Sequence, residues 1–112
     1  MNEDLKELFL TVYEYNNKLI PAFETRAMKL RQGERFKTAE YEVFIEGLVW
    51  VINALASAGS EFNIDINEAQ KQLDSLITVL ENGDYVLTSD ILDYELVPLI
   101  AGWQDKLISK LQ

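Results

Sequence analysis

The chain has 112 residues, 48% of them apolar and 26% charged, with 19 acids against 10 bases for a formal charge of −9. That composition supports a folded core and excludes a disordered chain, while the negative balance disfavours nonspecific attraction to nucleic acid or to an anionic membrane. The absence of Cys and His removes disulfides, thiol nucleophiles, the usual zinc and haem ligands and imidazole acid-base catalysis, and no cofactor or metal is expected.

The opening MNEDLKELF carries acids where a secretory signal carries bases, and the longest apolar stretch, VFIEGLVWVINALA, is interrupted by Glu46 and Asn53. It falls short of the roughly 18 to 20 apolar residues that a membrane span requires. The expectation is one helical domain over residues 1–112, cytoplasmic and away from membranes.

Between Asp4 and Leu30, apolar residues recur at Leu5, Leu8, Phe9, Val12, Leu19, Ile20, Phe23, Ala27 and Leu30, the three-and-four spacing of a helix with one buried stripe. Pro21 lies inside this helix, lacks a backbone donor and crowds the carbonyl four residues back, so a kink or a break is expected near Asn17. Gly33 follows as a helix terminator, with Lys29 and Arg31 at the negative end of the helix dipole.

A second helix, Thr38 to Ala58, holds only Glu46 and Asn53 as strongly polar side chains after Val43. It is expected to be the central, most buried element, with Phe44, Leu48, Trp50, Val51 and Leu55 as its core contacts. Asp65 and Glu68 have the spacing of a reciprocal capping box at the start of a third helix that turns Ile66, Ala69, Leu73, Leu76, Ile77 and Leu80 inward. Gly83 ends it and Asp84 caps the fourth, Tyr85 to Lys110, with Leu92, Leu96, Leu99, Ile100, Trp103, Leu107 and Leu111 inward and Pro98 in its interior. No segment sustains the alternation of a strand. The fold class is therefore all-α: a four-helix antiparallel bundle with proline-kinked first and last helices.

Asp84, Asp90, Asp93 and Glu95 place four carboxylates within twelve residues. On a helix only Asp90 and Asp93 converge, Glu95 points elsewhere and Asp84 is used as a cap, so neither a calcium loop nor a carboxylate-bridged iron site is assembled. Tyr15 and Tyr94 lie about a turn before Pro21 and Pro98, and a proline leaves a carbonyl in the preceding turn open to a hydroxyl or a ligand. The candidate binding residues are accordingly Tyr15, Tyr85, Asp90, Asp93, Tyr94 and Pro98, with the ground beside Pro98 as the first place to look for a pocket. Arg26, Lys29, Arg31, Arg35 and Lys37 concentrate half of the bases in twelve residues, whereas residues 38 to 105 hold thirteen acids and Lys71 alone. This basic patch lacks interleaved aromatic residues suited to a nucleic-acid strand and is expected to be a surface turn.

The segment LENGDYVLTSDILDYELVPLIAGW resembles a recurring C-terminal pattern in a family of small acidic all-helical proteins from Gram-positive bacteria. The pattern runs through Asp84, Tyr85, Val86, Leu87, Asp90, Ile91, Leu92, Tyr94, Glu95, Leu96, Pro98, Leu99 and Trp103, and EGLVWVINAL on the second helix is similar as well. The resemblance implies a helical fold and contributes no catalytic residue. The leading functional expectation is a non-enzymatic helical interaction module for another protein, an adaptor or an export-chaperone-like subunit of flagellar or secretion type. The competing reading is a small-ligand-binding or enzymatic protein using the acidic and tyrosine cluster beside Pro98. A homodimer burying the apolar excess of the second helix is a third.

Overall fold

The computed structural model describes residues 1–112 and is helical throughout, with no strand. Its elements are α1 (Glu3–Arg31), α2 (Thr38–Ser57), a short 3₁₀ turn (Gly59–Glu61), α3 (Ile66–Glu81) and a last rod made of α4 (Tyr85–Asp90), a π-helical stretch (Ile91–Leu96) and α5 (Val97–Leu111). The molecule is elongated, 46 × 23 × 22 Å, the long dimension matching the 29 residues of α1 at about 1.5 Å each.

Side-chain and backbone chemistry sets the ends of the helices. Asn2, Asp65 and Asp84 each accept a hydrogen bond from the backbone N–H three residues on, at 2.7, 3.0 and 3.0 Å. After α1 and α3 the chain reverses at Gly33 (φ 95°) and Gly83 (φ 66°). At both, the glycine N–H and the next N–H bond back to the second- and third-last carbonyls of the helix, a pattern that needs a residue free of the Cβ clash at positive φ. The reciprocal box expected at Asp65 is only half formed, because the Glu68 carboxylate turns forward to accept from Gln72 Nε2 at 2.9 Å. A returning carboxylate occurs instead at α2, where the Lys37 N–H donates to Glu40 Oε2 at 2.7 Å.

The two prolines are absorbed differently. Helix α1 continues unbroken through Pro21, which corrects the expected break near Asn17; Pro21 is exposed, so the missing donor falls on the side that water reaches. Before Pro98 the backbone widens into the π-helical stretch, and the Val97 N–H reaches the Leu92 carbonyl five residues back. A wider turn gives the proline ring room against the Tyr94 carbonyl, so the fourth helix is not one regular α-helix from Tyr85 to Lys110.

Contacts along α1 and α2 run in opposite order. Tyr15 meets Trp50, Phe23 meets Phe44 and Arg26 lies over Tyr41, with ring separations of 5.7 and 5.4 Å and a guanidinium distance of 5.4 Å. On its other side α1 meets the last rod, again in reverse order: Asn16 bonds Gln104, and Arg31 reaches Asp90 and Asp93. Helix α3 packs on α2 and on the first half of the last rod.

The core is built chiefly by Phe9, Val12, Leu19, Phe23 and Ala27 of α1 with Leu92, Leu96, Ile100, Trp103 and Leu107 of the rod and Leu48, Val51 and Leu55 of α2. The expectation that α2 is the most buried element therefore fails. It packs chiefly on α1 and α3, Trp50 is 41% exposed, Phe44 is only half-buried, and α1 takes the central place. Ile66 of α3 is likewise exposed while Val79 is buried in its stead, and Leu99 and Leu111 are half-buried.

Candidate functional site

The C-terminal turn of α1 brings the basic segment onto the acidic start of the last rod. Arg31 donates from Nη1 to Asp93 Oδ2 at 2.7 Å and from Nη2 to Asp90 Oδ1 at 3.3 Å, and its guanidinium lies 4.9 Å from the Tyr94 ring centroid. The hydrogen bond to Asp93 is foremost in raising the already high pKa of Arg31. The expected convergence of Asp90 and Asp93 is thus real, but what lies between them is a cation of the chain itself. One oxygen of each carboxylate is thus taken up by Arg31, and no three acidic side chains of the molecule come close enough to share a metal ion.

Two further arginines of the basic patch are also engaged. Arg35 lies 4.1 Å over the Tyr85 ring and donates from Nη1 to the Leu30 and Glu34 carbonyls at 3.2 and 2.8 Å, so it caps the end of α1. Arg26 lies 3.7 Å over Phe36 and 5.0 Å from Phe44. Its Nη1 and the hydroxyl of buried Tyr41 have no hydrogen-bond partner, and burial is the main cause that pushes the Tyr41 phenol pKa upward. Lys29 is half-buried and Lys37 exposed, neither in an ion pair. Three arginines over aromatic faces act as clamps between α1 and its neighbours; such contacts contribute about 0.5 to 1 kcal/mol at exposed sites.

The six candidate binding residues do not form one site. Tyr85, Asp90, Asp93 and Tyr94 gather around Arg31 and Arg35, whereas Tyr15 packs edge-on against Trp50 on the α1–α2 side. Sixteen residues separate Tyr15 from Arg31 on the same helix, roughly 24 Å at 1.5 Å per residue. Pro98, the first place to look for a pocket, lines none of the main surface depressions. A hollow of about 290 Å³ lies between Arg31, Arg35, Tyr85 and Asp90. A larger depression, about 630 Å³, lies along α3, lined by side chains such as Asn67, Gln70 and Asp74.

Two features escaped the sequence reading. Asn16 and Gln104 are buried in the α1–α5 contact: Asn16 Nδ2 donates to Gln104 Oε1 at 3.0 Å, and Gln104 Nε2 donates to the Tyr13 carbonyl and to Asn17 Oδ1, both at 3.0 Å. The signal was available, since Asn16 sits at a core position of the stripe Phe9, Val12, Leu19, Phe23. The second feature is the apolar surface left facing water: Val43, Val49 and Trp50 on α2, and Leu87 and Tyr94 with exposed Pro98 on the outer ridge of the last rod.

Helical packing, arginine–aromatic clamps and exposed apolar side chains define an all-helical protein. Residues 7–106 match the family model described as Domain of unknown function (DUF8042), and the chain belongs to that family. No curated protein and no solved structure matches it significantly. No helix is long and apolar enough to cross a membrane.

Proposed function

We propose that the protein is a non-enzymatic interaction module, an antiparallel four-helix bundle that presents an acidic exterior and uncovered apolar side chains to another bacterial protein as an adaptor or export-chaperone-like subunit. The observation that carries this reading is the outer side of α2, where Val43 is 66% and Trp50 41% exposed on a helix whose mean composition is that of a core element. Large apolar side chains gathered on one face are a cost in water unless something covers them. The competing ligand-binding reading loses its main support because Asp90 and Asp93 are held by Arg31.

The test is photo-cross-linking in the source cell, with a benzophenone amino acid placed at Val43, Trp50, Leu87 or Tyr94 and a control at Lys71 on α3. One protein trapped repeatedly from an apolar position and not from Lys71 is the expected result. If no position traps a protein above background, the interaction reading is wrong.

A further inference from the structure

The same side of α2 defines the chemistry of the partner, an inference that rests on the interaction reading. Val43 and Trp50 are seven residues apart, about two helical turns, and therefore project from one edge of the helix. Gly47 stands between them, and its missing side chain leaves the space that the Tyr15 ring of α1 occupies while it packs edge-on against Trp50. Tyr15, Trp50 and Val43 thus line an apolar seam along the junction of α1 and α2.

Glu46 lies within one turn of both Val43 and Trp50, and Glu42 precedes it by another turn; both are exposed and neither makes an ion pair. Helix α2 contains no base at all, so its side of the seam carries carboxylates alone. The seam is therefore greasy along its floor and negative along its rim.

A second copy pairing α2 on α2 about a two-fold axis beside Glu46 would bring Glu46 against its own copy and Glu42 close by, between molecules that each carry −9. A partner of opposite sign has no such penalty. We infer that the α1–α2 seam receives an amphipathic helix of another protein, with an aliphatic or aromatic stripe set on Val43, Trp50 and Tyr15, bordered by Lys or Arg that meet Glu42 and Glu46. This is the groove-binding mode in which apolar anchors recur every three to four residues and rim charges select the partner.

The probe is a synthetic helix of about five turns with a leucine stripe bordered by lysines, compared with a peptide in which every lysine is replaced by glutamate. The full chain is titrated while intrinsic fluorescence is followed; Trp103 is buried, so a blue shift reports on half-exposed Trp50. Saturable binding of the lysine peptide and none of the glutamate peptide is expected. Val43→Asp, and Glu42→Lys with Glu46→Lys, should each weaken binding at least about tenfold, whereas Glu81→Lys with Asp105→Lys, an equal change of charge on other faces, should alter it less than about twofold.

Equal binding of the glutamate peptide, or indifference to Val43→Asp, overturns the inference. So does equal weakening by both charge pairs, which would mean that net charge alone is felt, and so does a wild-type dimer in light scattering that Val43→Asp disperses. Should the peptide fail while cross-linking from Leu87 or Tyr94 traps a protein, this docking site is wrong and the interaction reading stands; with no trapped protein anywhere, both fall.

Discussion

Glycine to alanine at Gly47 and at Gly102 should move stability in opposite directions, although both residues sit inside helices. At an ordinary interior helix position the change favours the folded state by about 0.8 to 1 kcal/mol. A Cβ at Gly102 meets nothing within 4 Å, so Gly102→Ala should be stabilising by about that amount. A Cβ at Gly47 would overlap the Tyr15 hydroxyl and lie 2.8 Å from Cζ and 3.2 Å from Cε1, and the Tyr15 ring is itself held against Trp50. Overpacking of this kind costs about 1 to 3 kcal/mol, which outweighs the propensity gain and leaves Gly47→Ala destabilised by about 1 kcal/mol. In a Tyr15→Ala background the obstruction is gone and the same substitution should become stabilising, so the coupling between positions 15 and 47 equals the overpacking term. Urea denaturation of the four proteins of this cycle, with Gly102→Ala as the control, measures it. Equal effects of Gly47→Ala in both backgrounds, within about 0.5 kcal/mol, would refute the packing of Tyr15 over Gly47.

Trp103→Ala should cost about 3 to 5 kcal/mol and Trp50→Ala distinctly less in the same denaturation experiment, because Trp103 is 4% and Trp50 41% exposed; equal costs would contradict the burial of α5 against α1. Asn16→Ala should destabilise by about 1 to 3 kcal/mol by leaving Gln104 Oε1 without its donor, and hydrogen exchange of the α5 amides should quicken with it. Tyr41→Phe should be neutral or stabilising, since the hydroxyl it removes is buried without a partner. Because burial raises the Tyr41 pKa, the unfolded chain releases this proton first, so wild-type stability should fall as pH rises past the ordinary tyrosine value of about 10, and Tyr41→Phe should lessen that fall. Melting curves between neutral and alkaline pH report the difference, and superimposable pH profiles would count against burial of the phenol.

What could be read in advance was local. The spacing of Phe9, Val12, Leu19 and Phe23 identifies the inner stripe of α1, Asp84 is an N-cap because its carboxylate reaches an N–H three residues on, and Gly33 and Gly83 end helices because a positive φ is required there. Where the reading failed, the missing information was the identity of a neighbour. Helix α2 reads as a core element by composition, yet it packs chiefly on α1 and α3 and keeps one side for solvent, and nothing in its own residues says that Val43 and Trp50 occupy that side.

The candidate site divided along the same line. Asp90 and Asp93 are adjacent in any helix, so their convergence follows from the sequence; that Arg31, about sixty residues earlier, would fill the space between them follows only from the antiparallel run of α1 past the last rod. Tyr15 is separated from Tyr94 for the same reason, as proximity to a proline is a chain property and proximity in space is not. By itself, then, the sequence determined the helical class, the inner stripe of α1, the caps at Asp65 and Asp84 and the turns at Gly33 and Gly83, which depend on contacts within a few residues, and the net negative charge, which is composition. Which apolar side chains are covered, which charges neutralise one another and which surface is left to meet a partner were decided by how the helices pack, because each of those outcomes depends on groups far apart in the chain.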